Sequence, residues 1–261
     1  MTSSSKSCAN SSKSFVGGLE LTSPDEMKRE AAVAALAYVK PGMTLGLGTG
    51  STARHFLEGV ARLVAGGMDL KGVPTSLATA EAAKELGIPL TSLEDRPRLD
   101  LCVDGADEVD PKLDLIKGLG GALFREKIVA AASDTFLVIV DESKLVPRLG
   151  TKAPVPVEVH PFGWRNAAAA IEGLGATVEP RRTDGTLFQT DNGNHIVDAR
   201  FATLRAPATL AARLMAIPGV VGHGLFLGMA DLAIVASEKG VRTVRHPRKA
   251  ASRPSASRRR S

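Results

Sequence analysis

From residue 43 onward, apolar runs of four or five residues alternate with longer stretches of helical periodicity. The runs are Met43 to Leu47, Leu70 to Pro74, Leu99 to Val103, Leu113 to Ile116 and Phe136 to Val140, and the helical stretches are Ser51 to Ala65, Ala78 to Leu86 and Ala122 to Ser133. A strand that is apolar throughout must be covered on both faces, and helices crossing between parallel strands provide that cover. The rhythm therefore predicts α/β architecture: a doubly wound, mainly parallel, Rossmann-like sheet. Aromatic residues make up only 4% of the chain, so its core must be packed from Ala, Val, Ile and Leu.

Ahead of this sheet, Ser23 can cap a helix, Pro24 suits the first helical position and Glu26 completes a capping box. Met27, Ala31, Ala34 and Tyr38 follow at i, i+4, i+7 and i+11, one apolar stripe that stops before Pro41-Gly42.

A second pattern starts at Pro154. Val155 to Val159 reads as a strand, Trp164 to Leu174 as a helix, Thr177 to Arg181 and His195 to Ala199 as strands, Ala206 to Ala216 as a helix and Gly219 to Phe226 as a strand. That is the order of a smaller ferredoxin-like α+β domain. Ala230 to Ala236 is apolar again and is expected to rejoin the first sheet. The predicted division is thus 23–152 with 229–244 as the α/β domain and 153–228 as the ferredoxin-like one. A Ser-rich leader over 1–22 and a basic tail over 245–261 are expected to be disordered.

The net charge of +5 is concentrated in that tail, which holds seven Lys/Arg and no acid and leaves the remainder slightly acidic. Without interleaved aromatics such a tail offers non-specific electrostatics at most, and no specific nucleic-acid partner is expected. No apolar stretch approaches the ~20 residues that span a bilayer, so no membrane association is expected. Cys8 and Cys102 form neither a disulfide framework nor a metal-spaced pair, which predicts a cytoplasmic protein without a metal site.

Four clusters fall at strand ends, where open parallel sheets bind ligands. Gly46-Leu47-Gly48-Thr49-Gly50-Ser51-Thr52 opens a helix, where free N–H groups and the helix dipole favour an anion such as phosphate. Ser51 stands where the third glycine of a dinucleotide fingerprint would fall, and the Gly-Lys-Ser/Thr of a nucleotide P-loop is missing. A cradle for a small phosphate or hydroxyl ligand remains, with a simple capped turn as the alternative.

Asp104-Gly105-Ala106-Asp107-Glu108 follows the third run. Its acids can hold sugar hydroxyls or merely cap a turn, and they lack the remaining ligands of a calcium loop. Lys117-Gly118-Leu119-Gly120-Gly121 leads into Arg125-Glu126-Lys127. There a carboxylate could act as general base beside an ammonium that steadies an oxyanion, unless the charges are only an exposed helix face. Lys144, in Asp141-Glu142-Ser143-Lys144, occupies a fourth strand end.

Gly-Thr-Gly-Ser-Thr, Asp-Gly-Ala-Asp-Glu, Lys-Gly-x-Gly-Gly-Ala-Leu-x-Arg-Glu-Lys, Asp-Glu-Ser-Lys, Pro-Val-Glu-Val and Thr-Asp-Asn-Gly-Asn stand here in one order. Together, over roughly Asp25 to Val244, they resemble the type A ribose-5-phosphate isomerases. The resemblance implies reversible interconversion of D-ribose 5-phosphate and D-ribulose 5-phosphate through an enediolate, in the non-oxidative pentose phosphate pathway. It also implies no cofactor and a homodimer or homotetramer.

By this resemblance Glu126 is the catalytic base, with Asp104 and Lys117 aiding ring opening and oxyanion stabilisation. The substrate would be bound by Thr49, Gly50, Ser51 and Thr52, by Asp104, Gly105, Ala106 and Asp107, by Lys117, Gly118, Leu119 and Gly120, and by Lys144. Leu119 departs from the family pattern, which often has Gly there. Fold analogy leaves two rivals: a sugar-phosphate sensor module, which would need a DNA-binding segment, and a coenzyme A transferase, whose catalytic Glu would form a thioester with acyl-CoA.

Overall fold

The computed structural model describes residues 23–247, so the expectations for the leader and for nearly all of the basic tail lie outside the described residues. In chain order the elements are α1 (Pro24–Ala35), β1 (Thr44–Leu47), α2 (Ser51–Ala65), β2 (Lys71–Pro74), α3 (Leu77–Glu85), β3 (Leu101–Asp104), β4 (Glu108–Val109), β5 (Leu115–Ile116), α4 (Leu123–Ala131) and β6 (Phe136–Asp141). There follow β7 (Val155–Val159), α5 (Trp164–Glu172), β8 (Ala176–Pro180), β9 (Arg182–Thr183), β10 (Thr186–Leu187), β11 (His195–Phe201), α6 (Pro207–Met215), β12 (Val220–His223), β13 (Leu225–Phe226), β14 (Leu232–Ser237) and β15 (Gly240–Arg245).

A six-stranded sheet runs in the order β15-β14-β6-β3-β1-β2, parallel except for β15 at one edge. All residues of β1, β3 and β6 are buried, as continuous apolar runs require. Leu45, Leu47, Leu137 and Ile139 are fully buried, each burial stabilising the sheet by roughly 1.5–3 kcal/mol. The first helix carries its capping box: Ser23 Oγ accepts from the Glu26 amide, and the Glu26 side chain accepts from the Ser23 amide. Its stripe closes onto this core through Ala31, Ala32 and Ala35, whose small side chains let the helix lie close, and then tightens into a 3₁₀ turn at Leu36–Tyr38.

A four-stranded antiparallel sheet has the order β12-β7-β11-β8 and carries α5 and α6. Counted along its own strands this is 4-1-3-2, the split βαβ arrangement expected of a ferredoxin-like unit. A third sheet, β13-β5-β4, lies between the two.

Three expectations are corrected. Leu113 to Ile116 is no member of the parallel sheet: Leu113 sits at φ 59, which breaks the extended chain, and only Leu115–Ile116 pairs, antiparallel to β4 and β13. Gly219 to Phe226 is two strands in different sheets, because the chain leaves β7 at Gly224, whose amide still binds Pro156 O, and goes over to β5. The last strand runs to Arg245, one residue into the segment expected to be tail.

Candidate active site

The sheet order places β1 and β3 side by side, with the chain leaving them in opposite directions to β2 and β6. Such a switch point opens a crevice at the carboxyl ends of the strands. Here those ends are the 48–52 turn after β1, the 104–107 turn after β3 and the 3₁₀ turn Glu142–Lys144 after β6. The 117–121 turn before α4 closes the ring.

The crevice is a cleft of about 170 Å³. Thr49, Gly50, Ser51 and Thr52 line it, with Gly105, Ala106 and Asp107, then Lys117, Gly118, Gly120 and Glu126, and finally Lys144. Two residues of the expected set stand elsewhere. Leu119 has an exposed side chain outside the lining, and what holds it is its amide, which donates to Asp107 Oδ2 at 2.9 Å. Asp104 lies beneath the floor, 1% exposed, because its carboxylate organises the turn rather than facing the cavity. Its Oδ1 accepts from the Thr49 amide at 3.1 Å and the Gly105 amide at 2.7 Å.

That role of Asp104 explains Gly48. A Cβ at residue 48 would sit 2.3 Å from Asp104 Oδ1 and 2.6 Å from its Cα, distances no side-chain adjustment relieves. Gly48→Ala should therefore pull the two turns apart and lower kcat/KM by at least about tenfold, measured on folded protein. Gly50, at φ 107, lets the chain turn into α2 with the helix N-terminus facing the cleft. Thr49 is fixed from behind by a hydroxyl cluster: its Oγ1 lies 2.7 Å from Thr75 Oγ1, 2.9 Å from Ser76 Oγ and 3.0 Å from Thr79 Oγ1.

At the deep end three buried charges meet. Lys117 Nζ lies 3.1 Å from Asp104 Oδ2 and 3.2 Å from Glu126 Oε1, and donates to Gly105 O at 2.7 Å. Glu126 Oε2 has no hydrogen-bond partner. Burial pushes the Glu126 carboxyl up to about 8; Lys117 opposes the rise and Asp104 adds to it. Burial likewise raises Asp104, against the pull of Lys117. For Lys117 burial works against the charge, but Asp104, Glu126 and Asp107 outweigh it and hold the ammonium above its ordinary value.

The four-stranded sheet braces this arrangement. Arg181, paired with Asp198, donates to Gly118 O at 2.8 Å and Leu119 O at 2.9 Å. Next to Glu126 on α4, Lys127 donates to His223 O and to Leu225 O. The sequence reading missed Lys28 altogether. It lines the cleft from α1, a helix that crosses toward the strand ends, so a search confined to residues following strands passes over it.

The fold and the cleft define an α/β protein with a small crevice at its strand ends that closes on a buried carboxylate beside a buried ammonium. The family profile described as ribose 5-phosphate isomerase A (phosphoriboisomerase A) matches residues 71–240. Ribose-5-phosphate isomerase A of Rhodopseudomonas palustris (strain BisB18) is 51% identical over 232 residues, 86% of this chain and 100% of the relative. The solved ribose 5-phosphate isomerase from Plasmodium falciparum superposes with a TM-score of 0.83 at 39% identity, covering 85% of this chain and 99% of that one. A D-ribose-5-phosphate isomerase in complex with phospho-erythronic acid does so with a TM-score of 0.83 at 41% identity, over 85% and 99%. The chain belongs to the ribose 5-phosphate isomerase A family.

Proposed function

We infer that the protein interconverts D-ribose 5-phosphate and D-ribulose 5-phosphate. The observation that carries this reading is Glu126, a buried carboxylate with one oxygen unpartnered and the other 3.2 Å from a buried ammonium at the cleft's deep end. A 1,2-proton shift needs one base that removes hydrogen from C2 and returns it to C1, passage of the O2 hydroxyl proton to O1 across the enediolate, and a cation beside the oxygen that becomes negative in between. Glu126 is the base and Lys117 the cation. Asp104 acts through Lys117 and the Thr49 turn.

The phosphate is assigned to the mouth, where the amides of Ser51 and Thr52 open α2 and Lys28 and Lys144 supply charge. Asp107, Gly105 and Gly118 are left for the sugar hydroxyls. A phosphorylated polyhydroxy acid bound to a 41%-identical relative fits such a cleft. With Lys117 supplying the positive charge, the reading invokes no cofactor. It also takes the protein to act in the cytoplasm as a homodimer or homotetramer.

The test is to mix purified protein with ribose 5-phosphate in a chelator and follow ketose formation. Turnover should be the same with and without chelator. A protein that makes no ketose, or that stops when chelated, refutes the reading.

A further inference from the structure

Arg125 occupies the first turn of α4, one residue before Glu126. A cation is disfavoured there by the helix dipole, and the helix has no side-chain cap at Ala122 to hold its first turn. Besides Lys127, which holds the next turn of α4 to His223 O and Leu225 O, Arg125 makes contacts that fix this end. The contacts of Arg125 lead to the Thr190-Asp191-Asn192-Gly193-Asn194 turn, which belongs to the other half of the molecule.

Arg125 Nε donates to Asn192 Oδ1 at 2.8 Å, and its Nη2 donates to Asp191 O at 3.0 Å. Asn192 faces the other way with its amide nitrogen, which donates to Glu158 Oε1 at 3.1 Å. The same Glu158 oxygen accepts from Thr190 Oγ1 at 3.0 Å and Asn194 Nδ2 at 2.9 Å. Glu158 is fully buried in β7, so the turn is fastened to the four-stranded sheet by one carboxylate oxygen. A buried carboxylate with three donors is a costly anchor to disturb.

We propose that Asn192 is a positioning residue for the isomerisation: it ties the base-carrying end of α4 to the Glu158 anchor and so sets where Glu126 stands. Because a shift of about 1 Å at a reacting group can cost about 10²-fold, a single amide bridge is enough to show in turnover. The bridge makes no contact with Lys28, Ser51, Thr52 or Lys144, so it should leave phosphate binding alone. The proposal rests on Glu126 being the base.

The test uses Asn192→Ala, Arg125→Ala and the double variant, each assayed for kcat, KM and pH profile, with Glu126→Gln beside them. Arg125 is one-third exposed, so its truncation keeps the question answerable if the Asn192 variant folds poorly. We expect each single variant to lose about 10- to 100-fold in kcat with KM changed less than about threefold. The double should be no worse than Arg125→Ala alone, because that truncation already removes the bond to Asn192 along with the bond to Asp191 O. Water reaching a loosened Glu126 should also move the acid limb of the profile to lower pH.

Unchanged kcat and pH profile in the folded single variants, or losses that multiply in the double, would overturn the positioning role. If Glu126→Gln is inactive while these variants are normal, only the positioning role fails. If Glu126→Gln stays active, the assignment of the base fails first.

Discussion

Glu126→Gln should lower kcat by about 10²–10⁴-fold, the usual range for losing a general base, while KM changes little. Glutamine keeps the shape and a hydrogen-bonding oxygen but cannot take a proton. In the unaltered protein kcat/KM should rise with pH through about 8, because the base works only when ionised and burial holds its pKa there. The same shift sets a stability profile. The folded-state pKa of about 8 exceeds the ordinary 4.5, so protonated Glu126 contributes stability that is fully present below about 4.5 and is lost as pH rises toward 8. Glu126→Gln should therefore melt above the parent at pH 8 and lose that advantage near pH 5. A variant retaining turnover within tenfold of the parent would remove Glu126 from the reaction.

Lys117→Met should be the most damaging change to the fold and the second most damaging to turnover. Loss of the cation beside the reacting oxygens is expected to cost about 10²–10³-fold in kcat. It also strands two buried carboxyls, and breaking one partner of a buried ion pair typically costs about 3–5 kcal/mol. Both carboxyls sit above their ordinary values, so acid should neutralise them and restore part of the loss. Urea unfolding at pH 5.5 and pH 8 measures this. An equal deficit at both values would show that packing of the lysine stem, not its charge, holds the site together.

The parallel sheet was legible because β1, β3 and β6 are short apolar runs buried along their whole length, two of them followed by a glycine at Gly48 and Gly105, a pattern with few other solutions. The clusters after β1, β3 and β6 followed from the same logic, whereas the 117–121 turn follows β5 of another sheet; twelve of the expected residues do line the cleft. What the pattern could not give was the direction a side chain takes once there. Asp104 and Asp107 are three residues apart and look alike, yet one lies under the floor and the other faces in. Lys28 was hidden because its place depends on where α1 crosses the sheet, a packing outcome with no local signature. β4 went unread, and β5 and β13 lay within expected strands but were given to the wrong sheets, because such short pairings are fixed by long-range partners such as Leu225 and Ile116.

The site residues of the 49–144 segment are all synthesised before β14, which pairs with β6 along Leu137 to Asp141. On a translating ribosome β6 therefore emerges with one long apolar edge bare until residues 232–237 arrive, a wait of roughly 5–20 s at ordinary elongation rates. Unpaired edges of that kind invite wrong partners. The nascent chain should thus be a client for holding chaperones over this interval, and catalysis should switch on only as the final hairpin β14–β15 is released from the exit tunnel.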